Sequence, residues 1–190
     1  ARPDQWTSHY NLGNYQLSHG ETKEAVASFE KALSFEPQAV TAMVNASIAH
    51  ARLGEIAKAE KSLQKALKLA PDNAAANFNM GLLKAEKKEP KQAESYLKKA
   101  LKADPRMAQA AYNLCVITAK DRIGEAVTWC RKAAETGPQN PAYAYTLAFY
   151  LNQKGDKDEA VKTLEALLAK YPGYRDAEML LGELSRRENP

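Results

Sequence analysis

The sequence predicts an all-α fold in which antiparallel helix pairs stack into an α-α superhelix and a final helix caps the array. A four-residue pattern starts at residues 10, 44, 78, 112 and 145, as YNLG, VNAS, FNMG, YNLC and YTLA. The intervals are therefore 34, 34, 34 and 33 residues. Within each interval, apolar and small residues recur at steps of three and four, which is the period of an α-helix. A fixed period of this length is typical of solenoids with one helix pair per repeat.

Helix ends recur with the same period. A proline, which cannot continue a helix, follows each second helix. These prolines are Pro37, Pro71, Pro105, Pro138 and Pro172. The turn inside three repeats has a glycine, Gly20, Gly54 or Gly155, and Lys88 takes its place in the third repeat, where we expect a left-handed conformation at a cost of ~1 kcal/mol. We predict a single domain over residues 1–190, with repeats at about 6–39, 40–73, 74–107, 108–140 and 141–174.

The last segment, YRDAEMLLGELSRRE, predicts a capping helix over about residues 175–188. A stack of helix pairs leaves its terminal apolar face uncovered, so its end needs a cap. The apolar side of this helix contains Met179, Leu180, Leu181 and Leu184. We expect Arg186, Arg187 and Glu188 to face water.

The repeats resemble a known family. The segment WTSHYNLGNYQLSHGETKEAVASFEKALSFEP and the four units after it are similar to the tetratricopeptide repeat (TPR). The resemblance implies a non-catalytic scaffold that binds proteins or peptides. It also implies that the first helices of the repeats line the concave side of the superhelix.

Each position of the recurring pattern is expected to face one direction. The last two residues should face the partner helix, where small residues in the fourth place allow close approach: Gly13, Ser47, Gly81, Cys115 and Ala148. The first two should face the implied groove, where one apolar stripe contains Tyr10, Val44, Phe78, Tyr112 and Tyr145. A second stripe, one turn later, contains Asn14, Ile48, Leu82, Val116 and Phe149. Between the stripes lie Asn11, Asn45, Asn79 and Asn113, followed by Thr146.

We predict that this groove binds an extended polypeptide. An asparagine amide has both donors and an acceptor, so it can hold a peptide backbone whatever the side chains are. Adjacent helices pack ~8–10 Å apart, so four repeats would span about 30 Å, the length of about nine extended residues. In the alternative interpretation the asparagines tie helices together or stay hydrated, and the pattern reflects only the architecture of the repeat.

Composition and motifs argue against other classes of protein. The net charge is +4, but the lysines of the middle repeats have no interleaved aromatic residues for base stacking, so we expect no nucleic-acid partner. No apolar run approaches the ~18 residues of a membrane span, so we expect no membrane insertion. The two cysteines and three histidines lack metal-site spacing, and no phosphate loop or nucleophile motif occurs. We therefore expect no enzymatic activity and no cofactor.

The cysteines bear on the compartment. Cys115 and Cys130 lie on opposing faces of the two helices of the fourth repeat, within reach of each other. Free buried thiols are the default expectation, and a disulfide is expected only in an exported protein. The sequence leaves cytoplasmic and periplasmic locations open.

A second function fits the same residues. The stretches WTSHYNLGN and AYTLAFYLNQKGD resemble repeat modules appended to bacterial multihaem cytochromes. This resemblance implies a periplasmic docking module of a larger protein, with no free ligand of its own. The chain itself contains no Cys-x-x-Cys-His haem motif. Self-association through the groove or the basic outer face is a third possibility.

Overall fold

The structure, a computed structural model, describes residues 4–186 and contains eleven α-helices and no strand within that range. The chain divides into two compact units, which meet in sequence between Ala103 and Asp104. Helices α1 to α6 of the first unit span Asp4–Ser18, Thr22–Phe35, Val40–Arg52, Ile56–Leu69, Ala74–Glu86 and Pro90–Ala103. Helices α7 to α11 of the second unit span Ala108–Ala119, Ile123–Thr136, Pro141–Lys154, Lys157–Lys170 and Arg175–Arg186.

Both units are built from sequential helix pairs. In the first unit each helix packs on the next, and α3 also contacts α1 and α5. In the second unit each helix again packs on the next, and α9 also contacts α11. The predicted all-α solenoid of antiparallel helix pairs is confirmed. The predicted repeat boundaries and the single domain stay predictions.

The turns inside the first, second, third and fifth repeats have the predicted left-handed conformation. The backbone angle φ is +80° at Gly20, +74° at Gly54 and +98° at Gly155. At Lys88 it is +59°, the only positive value at a non-glycine residue among those described. The third repeat thus has the same turn conformation as the first, second and fifth repeats, although a lysine side chain makes this conformation more costly.

Close helix approach depends on the small fourth residue of the pattern. A Cβ atom added at Gly81 would lie 2.8 Å from Leu97 Cγ, and one added at Gly13 would lie 2.6 Å from Phe29 Cε1. Both distances are shorter than real side chains allow. Phe29 and Leu97 are fully buried, so each large side chain fills the space above a glycine of its partner helix.

The third residue of the pattern is buried in four of the five repeats. Ala46 belongs to a core cluster with Phe29 of α2, and Met80 belongs to one with Leu63 of α4. Leu12, in the first repeat, is 46% exposed. The prediction was therefore wrong at Leu12, and within the described residues no helix pair precedes α1 to cover it.

The two cysteines form a disulfide, so the expectation of free thiols was wrong. Their Cα atoms are 5.1 Å apart, and both residues are fully buried. Cys115 takes the place that Gly81 has in the third repeat, and Cys130 takes the place of Leu97. A covalent bond therefore stands where the other repeats have a large side chain against a small residue.

Helix α11 closes the second unit. Leu180 and Leu184 are buried in the core of this unit together with Ala177, as expected of a cap. Met179 was predicted on the apolar side but is 58% exposed. Its exposure fits its position next to the buried Leu180, about 100° away around the helix. Arg187 and Glu188 lie outside the described residues, as does the side chain of Arg186.

Candidate functional site

The predicted groove residues lie on the first helices of the repeats. In the first unit these helices are α1, α3 and α5, and in the second unit they are α7 and α9; we call their shared surface the first-helix face of each unit. The predicted residues on it are mostly half-buried, whereas Asn11 and Val116 are exposed. Val44 was also predicted to line the groove, but only 5% of it is exposed because it packs in the core of the first unit. It offers little surface to a ligand, so that part of the stripe was wrong.

Asn45 connects two first helices. Its Nδ2 atom donates a hydrogen bond to Asn14 Oδ1 at 2.6 Å and another to the Tyr10 hydroxyl oxygen at 3.3 Å. The Tyr10 ring lies 6.1 Å from the ring of Phe29, which seats it against the core. Asn45 therefore ties α3 to α1, as in the alternative interpretation of the asparagines, and its amide hydrogens are already engaged.

Asn79 and Asn113 are arranged differently. Each donates one amide hydrogen to the backbone carbonyl four residues earlier in its own helix, Ala75 and Gln109 respectively, at 2.8 Å. Within the described residues, the other amide hydrogen and the Oδ1 acceptor of each have no hydrogen-bond partner. These two side chains are oriented by their helices and keep one donor and one acceptor available to a ligand.

A cleft of about 290 Å³ opens on the first-helix face of the first unit. Its walls include three residues predicted from the sequence, Ile48 on α3 and Asn79 and Leu82 on α5. Its remaining lining is Ser47, Ala51, Arg52, Ala59, Leu63, Leu83 and Glu86. The lining is mainly apolar, with one amide and two charged side chains, which is the usual make-up of a ligand cleft.

A second cleft, of about 350 Å³, opens between α7 and α9 in the second unit. It is lined by Tyr112, Val116, Tyr145, Thr146, Phe149 and Tyr150. All of these except Tyr150 were placed in the groove columns by the sequence. Val116 is 45% exposed, and the surface around it is largely aromatic. Aromatic side chains suit binding because they bury a large area with little loss of conformational entropy.

A third cleft, of about 230 Å³, extends this surface onto the cap. It shares Tyr145 and Phe149 with the second cleft and adds Asp176, Met179, Leu180 and Glu183 of α11. These four residues were not predicted to line a cleft, because α11 was expected only to cover the end of the stack. The spacing of Asp176 and Glu183, seven residues apart on one helix face, was the signal that could have found them.

The largest described cleft, of about 480 Å³, lies elsewhere in the second unit. It is formed by α8, α10 and the start of α9, and much of its lining is alanine and proline. Two of its polar groups, Lys170 Nζ and the Tyr171 hydroxyl, already donate to the Pro138 carbonyl oxygen at 2.7 and 3.2 Å. None of its lining residues belongs to the groove columns predicted from the sequence.

The histidines are used in packing. His50 is buried, and its Nδ1 lies 2.6 Å from Glu55 Oε2. His9 stacks on the Phe35 ring at 5.6 Å. Among the described residues no three His, Cys, Asp or Glu side chains are grouped so that they could hold a metal ion. Over the same range no helix has both the length and the apolar composition of a membrane span.

The chain belongs to the tetratricopeptide repeat family. One model of this family matches residues 10–74, 44–105 and 78–141, and a second matches residues 118–184. Members of this class bind proteins or peptides, so the chain is a protein-interaction scaffold. No curated protein sequence matches it well enough to identify a relative.

Several solved structures share the fold. PilF of Pseudomonas aeruginosa is 23% identical, with 97% of this chain and 85% of that one covered and a TM-score of 0.85. MamA of Desulfovibrio magneticus RS-1 is 22% identical over the whole of both chains, with a TM-score of 0.73. YrrB is 21% identical, with 90% of this chain and 89% of that one covered and a TM-score of 0.69. At these identities the likeness shows the fold alone.

Proposed function

We propose that this scaffold binds an extended polypeptide segment along the first-helix face of its repeats and catalyses no reaction on it. The observation that carries the proposal is that columns chosen from the sequence period line two clefts of this face. Apolar side chains of the ligand would enter beside Leu82 in the first unit and beside Tyr112 and Phe149 in the second. Burial of such side chains supplies most of the affinity of a peptide complex.

The asparagines would offer different polar groups to the ligand backbone. Asn79 and Asn113 would hold the ligand backbone, because each keeps an amide hydrogen and the Oδ1 acceptor free of partners within the described residues. Asn45 would contribute its Oδ1 acceptor, since its amide hydrogens bind Asn14 and Tyr10. YrrB, which shares the fold, is described as a TPR protein with an unusual peptide-binding site, and this supports peptide binding as a use of the fold.

The test is selection from a phage-displayed library of random nine-residue peptides. We expect the chain to enrich peptides with apolar residues at alternate or near-alternate positions, and an Asn79→Ala/Tyr112→Ala variant to bind them at least tenfold more weakly. A matched control, Gln64→Ala/Tyr15→Ala, removes one amide and one ring at exposed positions outside the three described clefts of the first-helix face. Circular dichroism must show that both variants keep the helical content of the parent.

Two results would overturn the proposal. In the first, no peptide is enriched above background. In the second, the enriched peptides bind the parent and the Asn79→Ala/Tyr112→Ala variant equally well. Sedimentation velocity of the chain alone separates a third case, in which a second copy occupies the face and blocks the peptide.

The disulfide favours a second candidate function, as a docking module of a larger exported protein. Disulfides persist in oxidising compartments and are rare in the cytosol, where thiols are kept reduced. Acid-quenched cells that express the native protein, treated with an alkylating reagent before and after reduction, test this placement. Alkylation of Cys115 and Cys130 only after reduction supports export, whereas alkylation of both before reduction contradicts it.

A further inference from the structure

The third cleft of the first-helix face combines aromatic rings with two carboxylates. We call the cleft lined by Tyr145, Phe149, Asp176, Met179, Leu180 and Glu183 the acidic aromatic cleft. The ring centroids of Tyr145 and Phe149 are 6.4 Å apart and tilted by 34°. The ring centroid of Tyr174 lies 5.8 Å from that of Tyr145, so these two rings are also in contact. Tyr145 and Phe149 therefore supply the aromatic part of the cleft lining.

The two carboxylates line the cleft and have no ion-pair partner among the described residues. Asp176 and Glu183 are both exposed, and neither forms an ion pair with any described residue. Asp176 lies in the first turn of α11, where the helix dipole stabilises a negative charge. Glu183 lies in the last described turn of α11, where the helix dipole destabilises a negative charge.

The negative charge in the cleft contributes to the raised pKa of two neighbouring tyrosines. Burial raises the pKa of Tyr145, and the negative charges of Asp176 and Glu183 add to that effect. Burial also raises the pKa of Tyr174, again with a contribution from Asp176. No basic side chain among the described residues opposes these effects. The charged side chains that line the cleft are thus both negative, although the net charge of the chain is +4.

We propose that the acidic aromatic cleft takes a lysine or arginine side chain of the bound polypeptide. This inference rests on the proposed peptide binding and specifies one position of the ligand. The aliphatic stem of such a side chain would lie on Met179, which is 58% exposed, while its charged end reaches the carboxylates. A cation above Tyr145 or Phe149 is also attracted by the ring face. The apolar stem and the cationic end match the two kinds of surface that line the cleft.

The same peptide selection tests this inference with a second variant. We expect the parent chain to enrich peptides that carry lysine or arginine at one fixed position relative to their apolar residues. An Asp176→Asn/Glu183→Gln variant should lose this preference and keep the apolar one. The control, Glu165→Gln/Glu178→Gln, removes the same charge from exposed positions of α10 and α11 outside the cleft and should keep both preferences.

A double-mutant cycle of peptide and chain variants measures how much the cleft contributes to the binding of the basic side chain. The best enriched peptide and its Arg→Gln or Lys→Gln analogue are titrated by fluorescence anisotropy against the parent and against Asp176→Asn/Glu183→Gln. Against the parent we expect about a tenfold difference in Kd, because two exposed charge contacts and a cation–π contact each contribute modestly. Against the variant we expect the difference to fall below about threefold, which would assign the coupling to the cleft.

The outcomes separate the two proposals. Enrichment of apolar peptides with no basic preference overturns the assignment of the cleft but leaves groove binding intact. A basic preference that survives in Asp176→Asn/Glu183→Gln also overturns it, because another site would then read the charge. Failure to enrich any peptide overturns the proposed function itself, and with it this inference.

Discussion

Reduction of the disulfide should destabilise the second unit by about 3 kcal/mol. Cys115 and Cys130 are 15 residues apart in sequence, and a cross-link of that length removes about 3 kcal/mol of chain entropy from the unfolded state. The effect should be large in relation to the total, since domains are stable by only ~5–15 kcal/mol. Unfolding in urea, followed by circular dichroism with and without a reductant, measures it. Hydrogen exchange of the α8 amides localises the change, because neighbouring repeats can unfold separately.

A repacked variant provides the control for this prediction. Cys115→Ala/Cys130→Leu would rebuild the pair of the fifth repeat, where Ala148 and Leu164 are fully buried in one core. This variant should be insensitive to reductant and more stable than the reduced parent, because leucine fills the space above the small residue. Equal stability of the parent in both redox states, once a thiol assay has shown that the bond is broken, would refute the reasoning.

Two further predictions concern packing and pH. Gly81→Ala should lower the free energy of unfolding by about 1 kcal/mol, because the overlap of the new Cβ with Leu97 outweighs the gain in helix propensity. Gly182→Ala should raise the free energy of unfolding by ~0.5–1 kcal/mol, because no atom lies within 4 Å of its new Cβ. Urea unfolding measures both changes, and changes of the same sign would contradict the packing explanation. Lys84 Nζ lies 2.7 Å from Glu60 Oε1 and holds the pKa of that carboxyl below its ordinary value of 4.5. The carboxyl of Glu60 therefore binds a proton more tightly in the unfolded chain than in the folded one. The ion pair with Lys84 stabilises the folded state above about pH 4.5, and this contribution is lost as the pH falls through the lower pKa of the folded state. Thermal unfolding of the parent and Glu60→Gln between pH 7 and pH 3 tests this, and parallel Tm curves below pH 4.5 would contradict it.

Local rules made much of the fold predictable. The period of the pattern placed the helix pairs, and the turn position predicted the left-handed conformation even at Lys88, where the residue type argues against it. The column of small residues predicted the contact between Gly81 and Leu97. These features depend on neighbours within one helix pair, so they can be recognised from spacing alone. The five groove columns likewise came from counting positions around a helix.

The features that sequence analysis missed depend on neighbours outside the repeat. Val44 is buried because residues of the next helices cover it, although its equivalents are half-exposed. Asn45 has lost its free amide hydrogens to Asn14 and Tyr10, whose amide and hydroxyl groups the other asparagines lack beside them. The facing columns of Cys115 and Cys130 could be predicted, but the bond between them depends on the redox state of the compartment.

The location of the ligand tests the central claim most directly. A peptide enriched in the selection, with a benzophenone group in place of one apolar side chain, can be photo-cross-linked to the chain and the attachment mapped by mass spectrometry. The account predicts attachment to α3 and α5 near Leu82, or to α7 and α9 near Tyr112 and Phe149. Attachment at Lys162 or Ala166 of α10, beside the largest cleft, would contradict it.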